Sequence, residues 1–330
     1  MHALGIETSC DETSCAIVKG RKVVANFTVS SLRYHKRYGG IVPEIATRNH
    51  LKFIDKVSLL AIRKAKIDFK DIKVIGATYK PGLLGALLVG VNFAKALSLA
   101  LGKPFLGINH LHAHLFSPFL DNRIPFPFPF IGLVASGGHT EIFLVKDFTQ
   151  IKLLGRTTDD ACGEAFDKVA RAFGLGYPGG VYIDKIYSPD FKESFSFRCG
   201  RKGFNFSFSG VKTAVIYKKS ELEKEKKMDR GTKIKILSSF QESVVKTLVE
   251  GIEEAATKLG IRNIVCGGGV VANRRLRELL KDLEKKKKFK IFLPSLAYTT
   301  DNAAMVAGLA FYLYNKRGKV SNFNLEVEAN

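Results

Sequence analysis

The sequence predicts an α/β protein of two lobes, each built on a mixed sheet, and three observations predict it. Residues 4–8, 13–18 and 22–29 read as short strands joined by tight turns, Leu4-Gly5-Ile6 running into polar Thr8-Ser9-Cys10-Asp11-Glu12-Thr13. The same grammar returns later, as Phe130-Ile131-Gly132-Leu133-Val134, Ser136-Gly137-Gly138-His139-Thr140, Ile142 to Val145 and Ile151 to Leu154. A shift of 127 positions, Gly5 to Gly132, also lays Ser9 on Ser136, Thr13 on Thr140, Val18 on Val145 and Lys19 on Lys146. That is an internal duplication of a strand–turn–strand unit. Between and after the copies the pattern alternates strand and helix.

Pro43 suits the first turn of a helix reaching about Lys66. Val74 to Ala77 reads as a strand, Gly85 to Leu101 as a helix and Pro104 to Ile108 as a strand. Pro118 to Pro129 is a proline-rich joint. Beyond the second copy, Asp160 to Phe173 is a helix, Gly176 to Gly180 a turn with Asp184 just past it, and residues 190–212 a structured loop followed by Lys-rich helices. Ile261 to Val265 is a strand, a helix follows from Asn273, Ile291 to Pro294 ends a strand, and a last helix opens at Asp301 and runs to about Lys316. The expected division is lobe I at 1–124, with 303–330 packing back on it, and lobe II at 125–302, a nucleotide cleft lying between them.

With 46% hydrophobic residues in 330, the chain can bury two cores and is not a disordered one. Acidic Glu7 arrives too early for an apolar leader, and Leu83 to Leu101 carries Asn92 and Lys95, so it reads as a buried helix and not a span. Five cysteines without a CxxC pair argue for a reducing cytoplasm and against a thiolate zinc site. Basic residues outnumber acidic ones by 52 to 31, a net charge of +21 that suits a polyanionic partner such as nucleic acid. A thermophile's charged surface explains many charges, but not an excess of one sign.

His110-Leu-His-Ala-His114 is the stretch with the most chemistry in it. On a helix, His110 and His114 share a face and His112 does not. Two imidazoles can hold one divalent metal if a third ligand arrives from elsewhere; the competing reading is three ordinary helix histidines. The turns Thr8 to Thr13, Ala135 to Thr140 and Cys266 to Asn273 expose backbone N–H groups able to hold phosphate oxygens, and no P-loop sequence occurs.

Eight motifs then carry a resemblance: Gly5-Ile-Glu-Thr-Ser-Cys-Asp-Glu-Thr, His110-x-x-x-His114, Ser136-Gly-Gly-His-Thr, Gly163-Glu-Ala-Phe-Asp167-Lys, Tyr177-Pro-Gly-Gly180, Phe206-Ser-Phe-Ser-Gly-Val-Lys-Thr, Gly267-Gly-Gly-Val-Val-Ala-Asn273-Arg and Asp301-Asn. Together they resemble the bacterial TsaD family, tRNA adenosine threonylcarbamoyltransferases once described as glycoproteases. The resemblance implies the actin/Hsp70-like fold and a cytoplasmic enzyme. It implies one divalent metal, iron or zinc, held by His110, His114 and Asp301; as a bare residue, Asp301 reads equally as a helix cap. It places Val134, Ala135, Ser136, Gly137 and Gly138 against the substrate's phosphate and acyl part, Asp167, Gly180 and Asp184 near ribose or adenine, and Asn273 in the third turn. Asp167 reads also as an i,i+4 partner of Arg171.

The substrates so implied are threonylcarbamoyl-adenylate and the exocyclic amine of the adenosine 3′ of the anticodon, in tRNAs reading codons that start with A. Asp11 or Glu12 is the expected proton acceptor, and Lys/Arg of 198–230 the expected tRNA contacts. Implied partners are a smaller degenerate relative of the same fold and a separate ATPase, with no membrane. Three other readings compete. A kinase or actin-like ATPase needs carboxylate-held Mg²⁺. A zincin-type protease needs Glu where Leu111 stands. A tRNA-binding scaffold subunit would bind without modifying.

Overall fold

Runs of five and six buried residues make the first two strands, β1 (His2–Glu7) and β2 (Glu12–Lys19), and β3 (Lys22–Ser30) pairs beside them with Ala25 alone buried. Next come α1 (Leu32–His35), α2 (Pro43–Ala65), β4 (Ile72–Lys80), α3 (Leu84–Leu101), β5 (Phe105–Asn109) and α4 (His110–Phe116). The second copy gives β6 (Phe130–Ala135), β7 (Thr140–Asp147) and β8 (Gln150–Arg156), then α5 (Cys162–Ala172) and α6 (Gly179–Ile186). A small hairpin, β9 (Gly200–Lys202) with β10 (Asn205–Ser207), precedes α7 (Ser209–Lys224) and α8 (Arg230–Lys258). The chain closes with β11 (Asn263–Gly267), α9 (Arg274–Lys287), β12 (Lys290–Phe292) and α10 (Ala303–Arg317). These elements come from a computed structural model that describes residues 1–35, 38–122, 124–318 and 320–329. Arg123 of the proline-rich joint and the terminal Asn330 lie outside the described residues.

Two units result, Met1–Phe126 with Pro294–Asn330, and Pro127–Leu293. Residues 294–302, read from sequence as part of the second lobe, therefore fold with the first unit. The first unit carries a sheet in the order β3-β2-β1-β4-β5 and the second a sheet in the order β8-β7-β6-β11-β12. In each, the first three strands are antiparallel and the last two join in parallel. The duplication extends to register. β1 pairs Gly5 with Ala16, and β6 pairs Gly132 with Phe143, the same pairing moved by 127 positions.

In the first unit, Leu4, Ile6, Ile17, Ile72 and Ile75 are wholly buried beneath α2 and α3, each such side chain stabilising by about 1.5–3 kcal/mol. On the other side, α10 lies on β1 so closely that a Cβ on Gly5 would stand 2.4 Å from the Ala303 carbonyl oxygen. That contact fixes where residues just before α10 sit. The second unit packs α5 and α8 on its sheet, with Phe166 and Phe240 edge to face at 5.2 Å.

Three elements depart from the sequence reading. Gly179 and Gly180, read as a turn, open α6, so Asp184 sits on a helix. Pro178 supplies the extended entry residue at φ −71° and ψ 135°, and the packing of Ile183 holds a segment whose glycines disfavour helix. The loop at 190–212 contains the β9–β10 hairpin and the start of α7. Helix α3 is long and apolar enough to cross a membrane by length and composition. Ala86, Leu87, Gly90, Val91, Ala94 and Ser98 are buried, but Leu84, Leu88 and Leu99 are exposed, so only one face is core.

Candidate active site

Helix α4 starts where β5 ends. Asn109 is extended, and its Oδ1 accepts from the N–H groups of Leu111 at 2.9 Å and His112 at 3.1 Å, the geometry of an N-cap. The cap fixes the helix phase, and spacing of four then stacks His110 and His114, their ring centroids 4.6 Å apart and planes at 80°. The two Nε2 atoms face each other at 3.2 Å. Asp301 enters from the segment before α10. Its Oδ1 lies 3.1 Å from His114 Nε2 and 3.4 Å from His110 Nε2. Asp301 does not cap α10: Asn302 does, with Oδ1 accepting from Met305 N–H at 3.0 Å. The structure thus brings together the three residues expected to ligate a metal.

A fourth group, absent from that expectation, completes the cluster. Glu7 at the end of β1 is fully buried, with Oε2 2.9 Å from His110 Nδ1. Burial disfavours the charged form of His110, but the carboxylates of Glu7 and Asp301 outweigh it and hold the imidazole pKa well above its usual value. His114 goes the other way, lowered by burial and by the neighbouring His110. Burial opposes ionisation of Asp301 too, yet the two imidazoles pull its carboxyl far below the ordinary range. The cluster sets two carboxylates against two imidazoles and so favours a positive charge among them.

The turn from Thr8 to Thr13 borders it. This turn carries no glycine; its room comes from the facing segment, where a Cβ on Gly82 would stand 2.6 Å from Ser9 O and one on Gly90 2.2 Å from Thr8 Oγ1. Asp11 is buried, with Oδ2 accepting from Ser30 Oγ at 3.3 Å and its carbonyl from Ser31 N–H at 2.9 Å. Burial first, then the charges of Asp11 and Asp301, push the Glu12 carboxyl well up and favour its protonated form. Cys10 is pushed up by burial and the same carboxylates, which leaves it a thiol and no nucleophile.

The second unit holds the remaining expected residues. Val134 and Ala135 end β6, parallel to β11, with Val134 opposite Gly267. Gly268 has φ 97°, and a Cβ there would meet Ala135 O at 2.3 Å, so the turns Ala135–Thr140 and Cys266–Asn273 adjoin within this unit. Ser136 N–H donates to His139 O at 2.8 Å and closes its turn. A Cβ on Gly137 or Gly138 would meet nothing within 4 Å, and one on Gly180 only Phe166 at 3.8 Å. Nothing in the chain's own packing demands glycine at those three places.

Asp167 Oδ1 accepts from Gly179 N–H at 2.6 Å. Asp184 accepts from Gln241 Nε2 at 3.2 Å and Arg274 Nε at 2.9 Å. Asn273 caps α9 through Leu276 N–H at 2.9 Å, so its side-chain oxygen has a structural task.

Burial pushes the Asp167 carboxyl up to about 6 from 3.8. The unfolded chain therefore ionises first, and stability falls as pH rises from about 4 to about 6, then stays lower. Asp167→Asn keeps an oxygen for Gly179 and abolishes the penalty. The variant is expected to match the wild type near pH 4 and exceed it by roughly 2–3 kcal/mol above pH 7, as denaturant unfolding at the two pH values would measure. A constant offset at both would contradict this.

A polypeptide with this duplicated sheet order has a fold of the actin/Hsp70-like class, and solved structures agree on the fold. HypF in its phosphate- and nucleotide-bound form matches with a TM-score of 0.62 at 15% identity, over 97% of this chain and 56% of that one. Component A of the Acidaminococcus fermentans (R)-2-hydroxyglutaryl-CoA dehydratase matches with a TM-score of 0.53 at 17% identity, over 97% and 100%. Within that class the chain belongs to the TsaD family, tRNA N6-adenosine threonylcarbamoyltransferase, whose family model matches residues 22–308. It is 48% identical to the tRNA N6-adenosine threonylcarbamoyltransferase of Thermosipho africanus, over 100% of this chain and 99% of the relative. The enzyme of the same name from Dictyoglomus turgidum is 47% identical, over 96% and 94%.

Proposed function

We propose that this chain transfers the threonylcarbamoyl group of threonylcarbamoyl-adenylate to the exocyclic amine of the adenosine 3′ of the anticodon, in tRNAs reading codons that start with A. The observation that carries the reading is the convergence of His110, His114 and Asp301 in a chain of this family. Mg²⁺ in a kinase prefers a shell of oxygens, whereas this cluster presents two imidazole nitrogens, and a scaffold reading leaves the cluster without a task.

The donor set fits a divalent cation. Ligand atoms bound at about 2.1 Å in a tetrahedron lie about 3.4 Å apart, and here the three separations are 3.1, 3.2 and 3.4 Å. Two imidazoles and one carboxylate with open positions suit zinc or iron alike. When bound, such a cation supplies Lewis acidity to the carbamoyl oxygen and an anchor for the threonyl group.

The chain's residues do the rest. Asp11 accepts the proton of the attacking amine; Glu12, held towards its protonated form, serves that carboxylate as a neighbouring donor. The open backbone at Gly137 and Gly138 admits the adenylate's phosphate. Asp167 and Asp184 accept from ribose hydroxyls, Gly180 leaving room beside them, and Val134, Ala135 and Ser136 frame the acyl part. Asn273 keeps the third turn in place by capping α9.

Exposed Arg198, Lys202, Lys224 and Lys226 form no ion pair among the described residues, whereas Lys212, Lys218 and Lys219 are paired with acids. We assign tRNA phosphates to the unpaired set. Affinity for tRNA should fall with log salt at a slope of about −0.7 to −0.9 per phosphate contact. Lys202→Glu with Lys224→Glu should flatten that slope by about 2; an unchanged slope removes these lysines from the interface. The exposed leucines Leu51, Leu59 and Leu60 of α2, with Leu84 and Leu88 of α3, suit the smaller relative of the same fold. A separate ATPase completes the set, in the cytoplasm.

The decisive test mixes metal-loaded chain, threonylcarbamoyl-adenylate and unmodified tRNA, with and without those partners, and digests the tRNA to nucleosides. The reading requires threonylcarbamoyl-adenosine by mass spectrometry; its absence under all conditions, or phosphate transfer from ATP instead, refutes it.

A further inference from the structure

We infer that Glu7 is the positioning residue of the metal centre: its carboxylate turns the His110 ring so that Nε2 faces the cation, and it ties that ring to the turn bearing Asp11. The inference rests on the metal reading above and adds a residue to it.

Glu7 stands at the carboxyl end of β1, completely buried. Its oxygens are fully engaged. Oε1 accepts from Ser9 N–H at 2.6 Å; Oε2 accepts from Thr78 Oγ1 at 2.7 Å and faces His110 Nδ1 at 2.9 Å. A carboxylate offers acceptors alone, so the proton of the neutral imidazole belongs on Nδ1. The lone pair is then on Nε2, the atom directed at Asp301 and His114. The other tautomer would put N–H into the ligand position and a lone pair against Glu7. His114 has no such support: its Nδ1 is buried without a partner among the described residues. Of the two imidazoles, Glu7 makes His110 the oriented and more basic ligand.

The placement follows from topology. β4 runs parallel to β1 with Ala77 opposite Ile6, which sets Thr78 beside Glu7. β5 delivers Asn109 and the start of α4. Ser9 in turn is pinned to the entrance of α3, its carbonyl accepting from Leu83 N–H at 2.8 Å, while Thr8 Oγ1 donates to Ala86 O at 2.9 Å. One carboxylate thus joins two strand ends, a ligand helix and the acidic turn. Such a buried charge is costly unless a cation lies close, and the metal centre is where that cation would be.

The test uses the full chain stripped of metal, Zn²⁺ titrated against a chromophoric chelator, and ¹⁵N spectra of the histidine rings. Glu7→Gln should bind Zn²⁺ about 10–100-fold more weakly and lose the hydrogen-bonded His110 Nδ1–H signal, while the metal-free chain melts no lower than the wild type. Glu7→Asp, which keeps the charge at shorter reach, should recover part of the affinity. Equal affinity in Glu7→Gln overturns the assignment. So does weaker binding with the His110 signal unmoved and metal-free melting lowered, which marks a fold defect. Should Glu7→Gln not fold, Thr78→Val removes one of its donors and should cost several-fold in affinity; no change there overturns the assignment equally. A wild type that binds no Zn²⁺ defeats the metal reading itself. Binding abolished by Asp301→Asn but indifferent to Glu7→Gln defeats only the role of Glu7.

Discussion

Asp301→Asn should reduce transfer by about 10³-fold while leaving the fold intact. The side chain is one-fifth exposed, and the amide keeps its size and one oxygen. What it loses is the anionic ligand between two imidazoles whose Nε2 atoms lie 3.1 and 3.4 Å away. A Lewis-acid cation contributes several kcal/mol to stabilising charge in the transition state, and each 1.36 kcal/mol is tenfold in rate. His114→Ala should lose as much, with added instability because the ring is wholly buried. The assay is single-turnover transfer to tRNA beside metal content of the purified variant. Full metal and full rate in Asp301→Asn would remove this carboxylate from the centre.

The second large effect is expected at Asp11. Asp11→Ala should slow transfer by about 10²–10⁴-fold, the range for loss of a positioned proton acceptor, with metal content and affinity for tRNA unchanged. The turn should survive the change, since its backbone is held independently: Ser31 N–H and Oγ donate to the Asp11 carbonyl, and His50 Nε2 lies 3.0 Å from the Cys10 carbonyl. The informative readout is the single-turnover rate beside metal content, the first falling while the second holds. Unaltered turnover would take Asp11 out of the mechanism and leave the acidic pair as a structural device.

Much of this was legible in the residues because strand pairing repeats itself. The turn chemistry shared by Gly5–Thr13 and Gly132–Thr140 reports a shared register, since the side chains facing each sheet are set by the same alternation. The histidine pair was legible for the same local reason, a fixed angular step along one helix. Asp301 was legible only through the family resemblance: 187 residues separate it from His114, and Asp-Asn before a helix leaves either residue free to cap. Asn302 takes the cap and Asp301 is left for the cluster. Glu7 escaped notice because a lone Glu at a strand end has no periodic partner; Thr78 and His110 reach it only through parallel pairing. Helix α6 was missed because paired glycines argue for a turn, whereas the burial of Ile183 decides in favour of helix. The exposed leucines of α3 show the same limit, since an apolar run does not say which face is covered.

Locating the cation tests the account most directly. X-ray diffraction from metal-loaded crystals, recorded on both sides of the zinc or iron absorption edge, should show one anomalous peak bonded to His110 Nε2, His114 Nε2 and an Asp301 oxygen, each at about 2.0–2.2 Å. Metal-loaded, transfer-competent protein whose only anomalous peak lies away from those three atoms would contradict it.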